Sequence, residues 1–294
     1  MKKTARRKTL VIGSILSAIL LSGTAWAQTT AFSASYTCGR TSESIEGEEP
    51  VAAGAYPVFL YMIGTAENFN ANAAADAAVR GMAERGYVAA SIDYNNSSFG
   101  NCSQISAKAQ CIFNPSSASS AVSVLCGRAK ADCSKGIVVG GFSQGAVIAT
   151  LAKNFDSRVQ AAWGLGDGVK YSSFNLTSCM ANGNRTLHSD RLRAVNGNRD
   201  QFTGNSESAQ QTNMQSLTGF TCASGATTCL QSNGSGWVIV QGNQTADGTA
   251  DHCYMRASGG CTGRQTSLDQ GWANGAAPWE LDANLDWLKG FTAH

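Results

Sequence analysis

Short apolar runs rich in β-branched residues alternate along this chain with runs of helical character. The predicted strands are PVFLYMI at 57–63, YVAASIDY at 87–94, GIVVGG at 136–141, RVQAAWGL at 158–165, RLRAVNG at 191–197 and GWVIVQG at 236–242. Helices are predicted over 71–86, 144–155 and 278–291. A further helical stretch is predicted to end near residue 126. Strands that alternate with helices form a mostly parallel sheet covered by helices on both faces. The sequence therefore predicts an α/β fold.

The segments between these elements contain no repeat and no linker. Those at 95–104, 172–184 and 222–236 are rich in Ser, Asn and Gly, which is typical of loops. A chain of this length is enough for one well-buried core. We therefore expect residues 28–294 to form a single α/β catalytic domain.

The first 27 residues have the pattern of a secretory signal peptide. A basic MKKTARRKTL is followed by an apolar run and by the small-residue pattern AWA that ends at Ala27. The apolar run is about 12 residues long, against the roughly 20 that span a bilayer, so no stable membrane anchor is expected. The pattern predicts cleavage after Ala27 and a secreted protein, either extracellular or periplasmic.

Removal of this segment changes the charge balance of the protein. The full chain has 22 basic and 20 acidic residues. Five of the basic residues lie in the signal segment, namely Lys2, Lys3, Arg6, Arg7 and Lys8. The remainder is slightly acidic, which gives no reason to expect nucleic acid or an anionic membrane as a partner.

All ten cysteines follow the signal segment. An even number of cysteines in an exported chain predicts disulfides, here five. A metal site is a weaker interpretation, because there is no C-x-x-C pattern and the chain has only three histidines. Short separations suggest three pairs, with the others left open: Cys126–Cys133, Cys222–Cys229 and Cys253–Cys261.

The stretch GIVVGGFSQGAV contains the pattern G-x-S-x-G, with Ser143 at its centre. A chain with 32 glycines can produce this pattern by chance, so its context matters. Here it lies between a predicted strand and a predicted helix, where a sharp turn needs small residues such as Gly141 and Gly145. Such a turn exposes the serine at the carboxyl edge of the sheet and places the N–H of Gln144 at a helix N-terminus, where it can bind an oxyanion.

A serine nucleophile needs a general base, and the chain offers three histidines. His294 is the last residue, and His188 precedes a predicted strand, at the amino edge of the sheet. His252 follows the strand GWVIVQG. Because loops after parallel strands gather at one edge, His252 is the expected base for Ser143.

The base needs an acid that orients its ring. Asp200 follows the strand RLRAVNG, at the same edge, and is the first candidate. Asp167 follows the strand RVQAAWGL and is the second. Asp247 and Asp251 lie in the loop of the histidine, where a neighbour seldom reaches back to the ring.

Ser143, Asp200 and His252, in that chain order and each after a strand, resemble the catalytic triad of the α/β-hydrolase superfamily. The run GGFSQGAV is similar to the nucleophile turn of cutinases, which are also secreted and disulfide-bonded. Cutinases have the acid and the histidine close together in sequence, whereas a helix and a strand are predicted between Asp200 and His252. The resemblance therefore implies a secreted, disulfide-rich serine esterase or lipase that is not a cutinase proper.

The resemblance also implies a second oxyanion donor after the first strand of the parallel set. The matching stretch is Met62-Ile63-Gly64-Thr65-Ala66, and it lacks the histidine common in the family. The N–H of Thr65 is the expected donor, with that of Ala66 as the alternative.

The expected reaction is hydrolysis of a carboxylic ester through an acyl-enzyme, without a metal or organic cofactor. The 25 residues between the fourth and fifth predicted strands are too few for a large helical lid, so a small or polymeric ester could reach the site. Phe142 and Tyr171 could line the cleft or only pack the core, and the tryptophans at 163, 237, 279 and 287 are expected in the core. A polyester depolymerase, a serine peptidase and a non-catalytic binding protein on the same fold are the alternatives.

Overall fold

A computed structural model describes residues 27–257, 260–262 and 264–294. The predicted signal peptide lies outside the described residues except for Ala27. Within the ranges just given, no helix is both long and apolar enough to cross a membrane.

Nine strands of the described chain form one sheet. They are β1 (Thr29–Cys38), β2 (Thr41–Pro50), β3 (Val58–Met62), β4 (Val88–Ile92), β5 (Ile137–Phe142), β6 (Val159–Leu165), β9 (Leu192–Gly197), β10 (Thr228–Leu230) and β11 (Gly236–Val240). Their spatial order is β1-β2-β4-β3-β5-β6-β9-β11-β10. The six strands from β4 to β11 in this order are parallel, and β1, β2 and β10 run antiparallel to their neighbours. The expected mostly parallel sheet is confirmed.

Helices connect these strands and cover the sheet. They are α1 (Ala73–Glu84), α2 (Cys102–Phe113), α3 (Ala121–Cys126), α4 (Gln144–Leu151), α5 (Thr177–Met180), α6 (Glu207–Thr218), α7 (Gln270–Asn274) and α8 (Leu281–Lys289). Helix α1 packs on β4, α4 on β5 and β6, and α6 on β9 and β11. The segment between β6 and β9 holds only the one-turn helix α5, a short 3-10 helix (Ser189–Arg191) and a hairpin of β7 (Lys170–Tyr171) and β8 (Phe174–Asn175), so it forms no large lid.

The central strands are buried along their whole length, as their apolar sequences predict. Every residue of β3, β4, β5 and β11 is buried. The four tryptophans expected in the core are also buried. Burial of this apolar surface at about 25 cal/mol per Å² is the main source of the stability of such a sheet.

The ends of α1 show how local chemistry sets an element boundary. The helix was expected over 71–86, but it begins at Ala73 because the side chain of Asn72 accepts a hydrogen bond from the N–H of Ala75. It ends at Glu84, shortly before Gly86, whose φ of 91° suits glycine.

The antiparallel hairpin of β1 and β2 was not predicted. Most of its residues alternate between exposed and less exposed positions, and β2 has the polar sequence TSESIEGEEP. Such half-exposed strands lack the continuous apolar runs that mark the buried strands. Short elements also lie within the predicted loops 172–184 and 222–236, namely β8, α5 and β10.

The structure contains five disulfides. The three predicted pairs, Cys126–Cys133, Cys222–Cys229 and Cys253–Cys261, are confirmed. The other two are Cys38–Cys111, which joins β1 to α2, and Cys102–Cys179, which joins α2 to α5. Each closes a separation of more than 70 residues, so no short spacing in the sequence indicates these two pairs.

Candidate active site

Ser143 lies on the sharp turn between β5 and α4. Its backbone has φ 54° and ψ −117°, a conformation that is unfavourable for a residue with a side chain. The turn is held by hydrogen bonds: the N–H of Ser143 donates to the carbonyl of Leu165 at 2.7 Å, and its carbonyl accepts from the N–H of Ala146 at 3.0 Å. Positive φ at a non-glycine residue is a local strain that such fixed contacts maintain.

The two glycines of the motif stand where the strand and the helix come closest. A Cβ at Gly141 would lie 2.4 Å from backbone atoms of Gly145. A Cβ at Gly145 would lie 2.0 Å from the carbonyl oxygen of Met62 in β3. Neither position can hold a larger residue without movement of the backbone, which is the crowding that the motif predicts.

His252 and Asp200 form a buried pair. The Nδ1 atom of His252 lies 2.6 Å from Oδ2 of Asp200, and both side chains are almost completely buried. The other oxygen of Asp200 accepts hydrogen bonds from the N–H groups of Phe202, at 2.9 Å, and Thr203, at 3.2 Å. These contacts fix the carboxylate, and the carboxylate fixes the imidazole with Nε2 left for other partners.

The second acid candidate, Asp167, has different partners. It accepts hydrogen bonds from the hydroxyl of Thr150 at 2.8 Å and from the N–H of Gly168 at 2.7 Å. It is completely buried, and this burial raises its pKa to about 6, although the hydrogen bonds from Thr150 and Gly168 act in the opposite direction. Asp167 thus holds the loop after β6, while Asp200 is the carboxylate bonded to His252.

The other two histidines lie elsewhere. His188 is exposed, and its Nδ1 lies 2.9 Å from Asp190 before the amino end of β9. His294 packs against the ring of Tyr87, with 5.3 Å between the ring centroids, next to the amino end of β4. Of the three, the structure places His252 at the carboxyl edge with Ser143.

Two aromatic rings and a glycine hold the imidazole of His252. The rings of Phe142 and Phe202 lie with their centroids 4.8 Å and 4.7 Å from that of His252. Gly166, with φ 62°, borders the third side: a Cβ there would lie 2.6 Å from Cε1 of His252. The loop after β6 therefore limits the space around the imidazole of His252, although Asp167 in that loop does not bind the imidazole.

The two expected oxyanion donors lie on adjacent turns. Gln144 is the first residue of α4, and its side-chain Nε2 donates to Oγ1 of Thr65 at 3.3 Å. The N–H of Ala66, the alternative donor, is bonded to the carbonyl of Asn96 at 2.9 Å. This bond engages the N–H of Ala66 within the loop structure.

The side chain of Gln144 is held by groups that the sequence did not indicate. Its Oε1 accepts from Nζ of Lys108 at 3.1 Å, and its Nε2 also donates to the carbonyl of Ser98 at 2.7 Å. Burial lowers the pKa of Lys108 from its ordinary value. The contacts tie the start of α4 to α2 and to the loop after β4.

A buried ion pair joins the loop of His252 to the turn of Thr65. Nη2 of Arg256 lies 2.6 Å from Oε1 of Glu67, and both side chains are nearly inaccessible to solvent. The other oxygen of Glu67 accepts from the N–H of Gly64 at 2.6 Å and from Nδ2 of Asn72 at 3.0 Å. Because the second carboxylate oxygen of Glu67 is also hydrogen-bonded, this buried ion pair fixes the two loops relative to each other. Such a pair adds little net stability to the fold.

Glu67 and Arg256 were missed by sequence reasoning because they are 189 residues apart. The available signals were their positions, since Glu67 follows Thr65 by two residues and Arg256 follows His252 by four. A charge near a candidate catalytic residue in sequence was a weak signal, because most such charges lie on the surface.

A cavity of about 430 Å³ opens above Ser143. Thr65 and His252 line it together with Ser143, and so do Glu67 and Arg256. Much of the remaining wall is aromatic: Phe99, Phe142, Tyr171, Phe174 and Phe202. Phe142 and Tyr171, for which packing and lining were both open, therefore do both. Among the residues with described positions, no cluster of three or more metal-ligand side chains could hold an ion.

No protein-family model matches the chain, and no curated protein sequence matches it. Among solved structures, the chain is similar to the dienelactone hydrolase-like promiscuous phosphotriesterase P91 from metagenomic libraries, with 14% identity and a TM-score of 0.56. It is also similar to m3DLH, with 15% identity and a TM-score of 0.59. Both alignments cover 90% of this chain and 99% of the other.

These structural neighbours are dienelactone hydrolase-like proteins and not cutinases. At this level of identity the similarity concerns the fold, and it agrees with the mostly parallel sheet, the flanking helices and the absence of a large lid between β6 and β9. The chain has the α/β-hydrolase fold, and it contains five disulfides.

Proposed function

We propose that this protein is a serine hydrolase that cleaves carboxylic esters through an acyl-enzyme on Ser143. The observation that carries this proposal is the arrangement at the carboxyl edge of the sheet. A strained serine and a histidine line one cavity, and the histidine is bonded to a buried carboxylate at 2.6 Å. A nucleophile, a base and an acid that orients the base are the parts that acyl transfer requires.

In the proposed reaction, Oγ of Ser143 attacks the ester carbonyl carbon while Nε2 of His252 takes the hydroxyl proton. Asp200 keeps Nδ1 protonated and stabilises the imidazolium. The N–H groups of Gln144 and Thr65 bind the oxyanion. The tetrahedral intermediate then breaks the bond to the alcohol oxygen, which receives the proton from His252. Water, activated by the same histidine, hydrolyses the acyl-enzyme and restores Ser143.

The first test is covalent labelling. A fluorophosphonate probe should modify Ser143 in the wild-type protein and leave the Ser143→Ala variant unmodified, as read by peptide mapping. Ser173→Ala, which changes another serine of the same cavity, is the matched control and should label normally. Labelling that misses Ser143, or that persists in Ser143→Ala, would contradict the proposal.

The second test concerns the substrate. A panel of nitrophenyl esters of increasing chain length should be hydrolysed, and Ser143→Ala and His252→Ala should lower kcat by about 10⁴-fold or more. A peptide, a polyester film and a phosphotriester belong in the same panel, the last because one structural neighbour is called a phosphotriesterase. Activity on the peptide alone would favour a serine peptidase over an esterase.

We also propose that the protein acts outside the cytoplasm. Five disulfides need an oxidising compartment to form and persist. The predicted cleavage after Ala27 makes Gln28 the expected first residue of the exported protein, which intact-mass measurement checks.

A further inference from the structure

The side-chain amide of Gln144 connects the two turns that carry the expected oxyanion donors. Gln144 follows Ser143 directly in the chain, and its side chain is completely buried. Its Nε2 donates to Oγ1 of Thr65 at 3.3 Å, in the turn after β3. The two residues are 79 positions apart, so this contact is a direct link between the turn after β5 and the turn after β3.

This link depends on which way the amide of Gln144 points. An amide has one accepting end, Oε1, and one donating end, Nε2. In the observed orientation, Nε2 donates both to Thr65 and to the carbonyl of Ser98, the latter at 2.7 Å. In the reverse orientation, Oε1 would face the carbonyl oxygen of Ser98, and two acceptors form no hydrogen bond. The contact with Thr65 therefore requires that Oε1 points away from Ser98.

Lys108 of α2 selects this orientation. Its Nζ donates to Oε1 of Gln144 at 3.1 Å. An ammonium group has three donors and no acceptor, so it binds only the oxygen end of an amide. The same Nζ donates to the carbonyls of Ser98, at 2.8 Å, and Phe99, at 3.4 Å. Three acceptors therefore surround the ammonium group and hold it in place beside the amide.

The burial of Gln144 makes this contact important. A hydrogen bond with one charged partner is stronger than one between two neutral groups. Without the ammonium group, Oε1 would be a buried acceptor with no partner, which is unfavourable. The amide would then turn toward other donors and lose its contact with Thr65. Lys108 is not among the residues that line the cavity of Ser143, so its effect on that cavity passes through other residues.

We propose that Lys108 is a positioning residue for ester hydrolysis. It holds the amide of Gln144 in the orientation that binds Thr65, and the amide holds the backbone N–H groups of these two residues at the spacing that an oxyanion requires. The inference rests on the proposed function, because it takes these two N–H groups as the oxyanion donors.

The first test is Lys108→Met, which removes the ammonium group and keeps an unbranched side chain of similar length. We expect kcat and kcat/KM on the best nitrophenyl ester to fall together by about 10- to 50-fold, because displaced oxyanion donors weaken binding of the transition state only. The loss should be smaller than that for deletion of a donor, about 100- to 1000-fold, since Glu67 still binds the N–H of Gly64 in the turn of Thr65.

Lys153→Met is the matched control. Lys153 is also half-buried, and its Nζ also donates to backbone carbonyls, those of Ser157 and Val159. It does not line the cavity of Ser143. This variant should lose thermal stability, as Lys108→Met does, and keep both kcat and kcat/KM within about twofold of the wild-type values.

A double variant tests whether Lys108 acts through the amide. Gln144→Leu removes the amide and keeps the backbone N–H, so it should lower kcat about as much as Lys108→Met. When both changes are combined, kcat should fall by no more than about twofold beyond Gln144→Leu, because the amide that Lys108 orients is already absent. Independent effects would instead multiply.

Four results would overturn the inference. They are a kcat of Lys108→Met or of Gln144→Leu within about twofold of the wild-type value, a loss in Lys108→Met that appears in KM alone, an equal loss in Lys153→Met, and losses that multiply in the double variant. All four can occur while Ser143 is labelled and nitrophenyl esters are cleaved. Failure of this inference is therefore distinct from failure of the proposed function.

Discussion

Two aspartates that follow neighbouring parallel strands have different surroundings. Asp167 follows β6 and Asp200 follows β9, and both side chains are completely inaccessible to solvent. One carboxylate oxygen of Asp200 is hydrogen-bonded to His252, and the other accepts hydrogen bonds from two backbone N–H groups. Asp167 is bonded to a threonine hydroxyl and to the backbone of its own loop.

This difference teaches that a position after a strand at the correct edge of the sheet is not enough to identify a catalytic acid. Both residues satisfy that criterion, and both are buried. What separates them is the partner that reaches each carboxylate. The partner depends on the path of the loop after β11, which places His252 next to Asp200 and not next to Asp167.

The largest expected effect tests this comparison directly. Asp200→Asn should lower kcat on a nitrophenyl ester by about 10⁴-fold, because an amide allows the wrong tautomer of His252. Asp167→Asn should keep kcat within about threefold of the wild-type value, because it leaves the bond between His252 and Asp200 intact. The comparison fails if Asp167→Asn is the more damaging change in a protein whose circular dichroism remains native.

A smaller effect is expected from a change in the steric contact between the loop of Asp167 and the ring of His252. In Gly166→Ala the new Cβ would lie 2.6 Å from Cε1 of His252, so the ring must move. We expect kcat to fall by about 10- to 100-fold, since a displacement of the order of 1 Å is enough for such a loss.

Gly183→Ala is the control for backbone strain. Gly183 also has positive φ, 90°, but a Cβ there meets nothing within 4 Å. This variant should lose some thermal stability and keep its kcat. If both variants lose activity equally, strain explains the result and contact with His252 does not.

The third prediction changes stability and leaves the chemistry alone. Burial raises the pKa of Asp167 from 3.8 to about 6, so the folded state holds this proton more tightly than the unfolded state does. The favourable contribution is complete below about pH 4 and is lost as the pH rises through about 6. The difference is about 3 kcal/mol in free energy of unfolding, at about 1.4 kcal/mol per pKa unit.

The measurement is the free energy of unfolding of wild type and Asp167→Asn at about pH 4 and about pH 8. Asparagine does not titrate, so the wild-type protein should lose stability relative to the variant as the pH rises. A difference between the two proteins that is independent of pH would show that Asp167 titrates normally.

Much of the parallel sheet could be predicted, because buried strands such as β3 and β5 are continuous apolar runs. The hairpin of β1 and β2 could not, since its half-exposed strands carry a mixed pattern. The disulfide pairs that are seven or eight residues apart could also be predicted, because closing a short loop costs little chain entropy.

The candidate site shows the same division. Gly141, Ser143 and Gly145 could be identified from sequence, because a sharp turn places steric demands on adjacent residues. The pair of Glu67 and Arg256 could not be, and neither could the support that Lys108 gives to Gln144. These contacts join residues 36 to 189 positions apart, and no local pattern records them.

By itself, the sequence determined the alternation of strands and helices, the turn that carries Ser143, and the edge of the sheet at which candidate acids and bases meet. These depend on hydrophobic periodicity and on sterics between near neighbours. The tertiary structure decided which carboxylate binds His252 and which rings surround it. Those features arise where loops from distant parts of the chain pack together, and packing is a property of the whole fold.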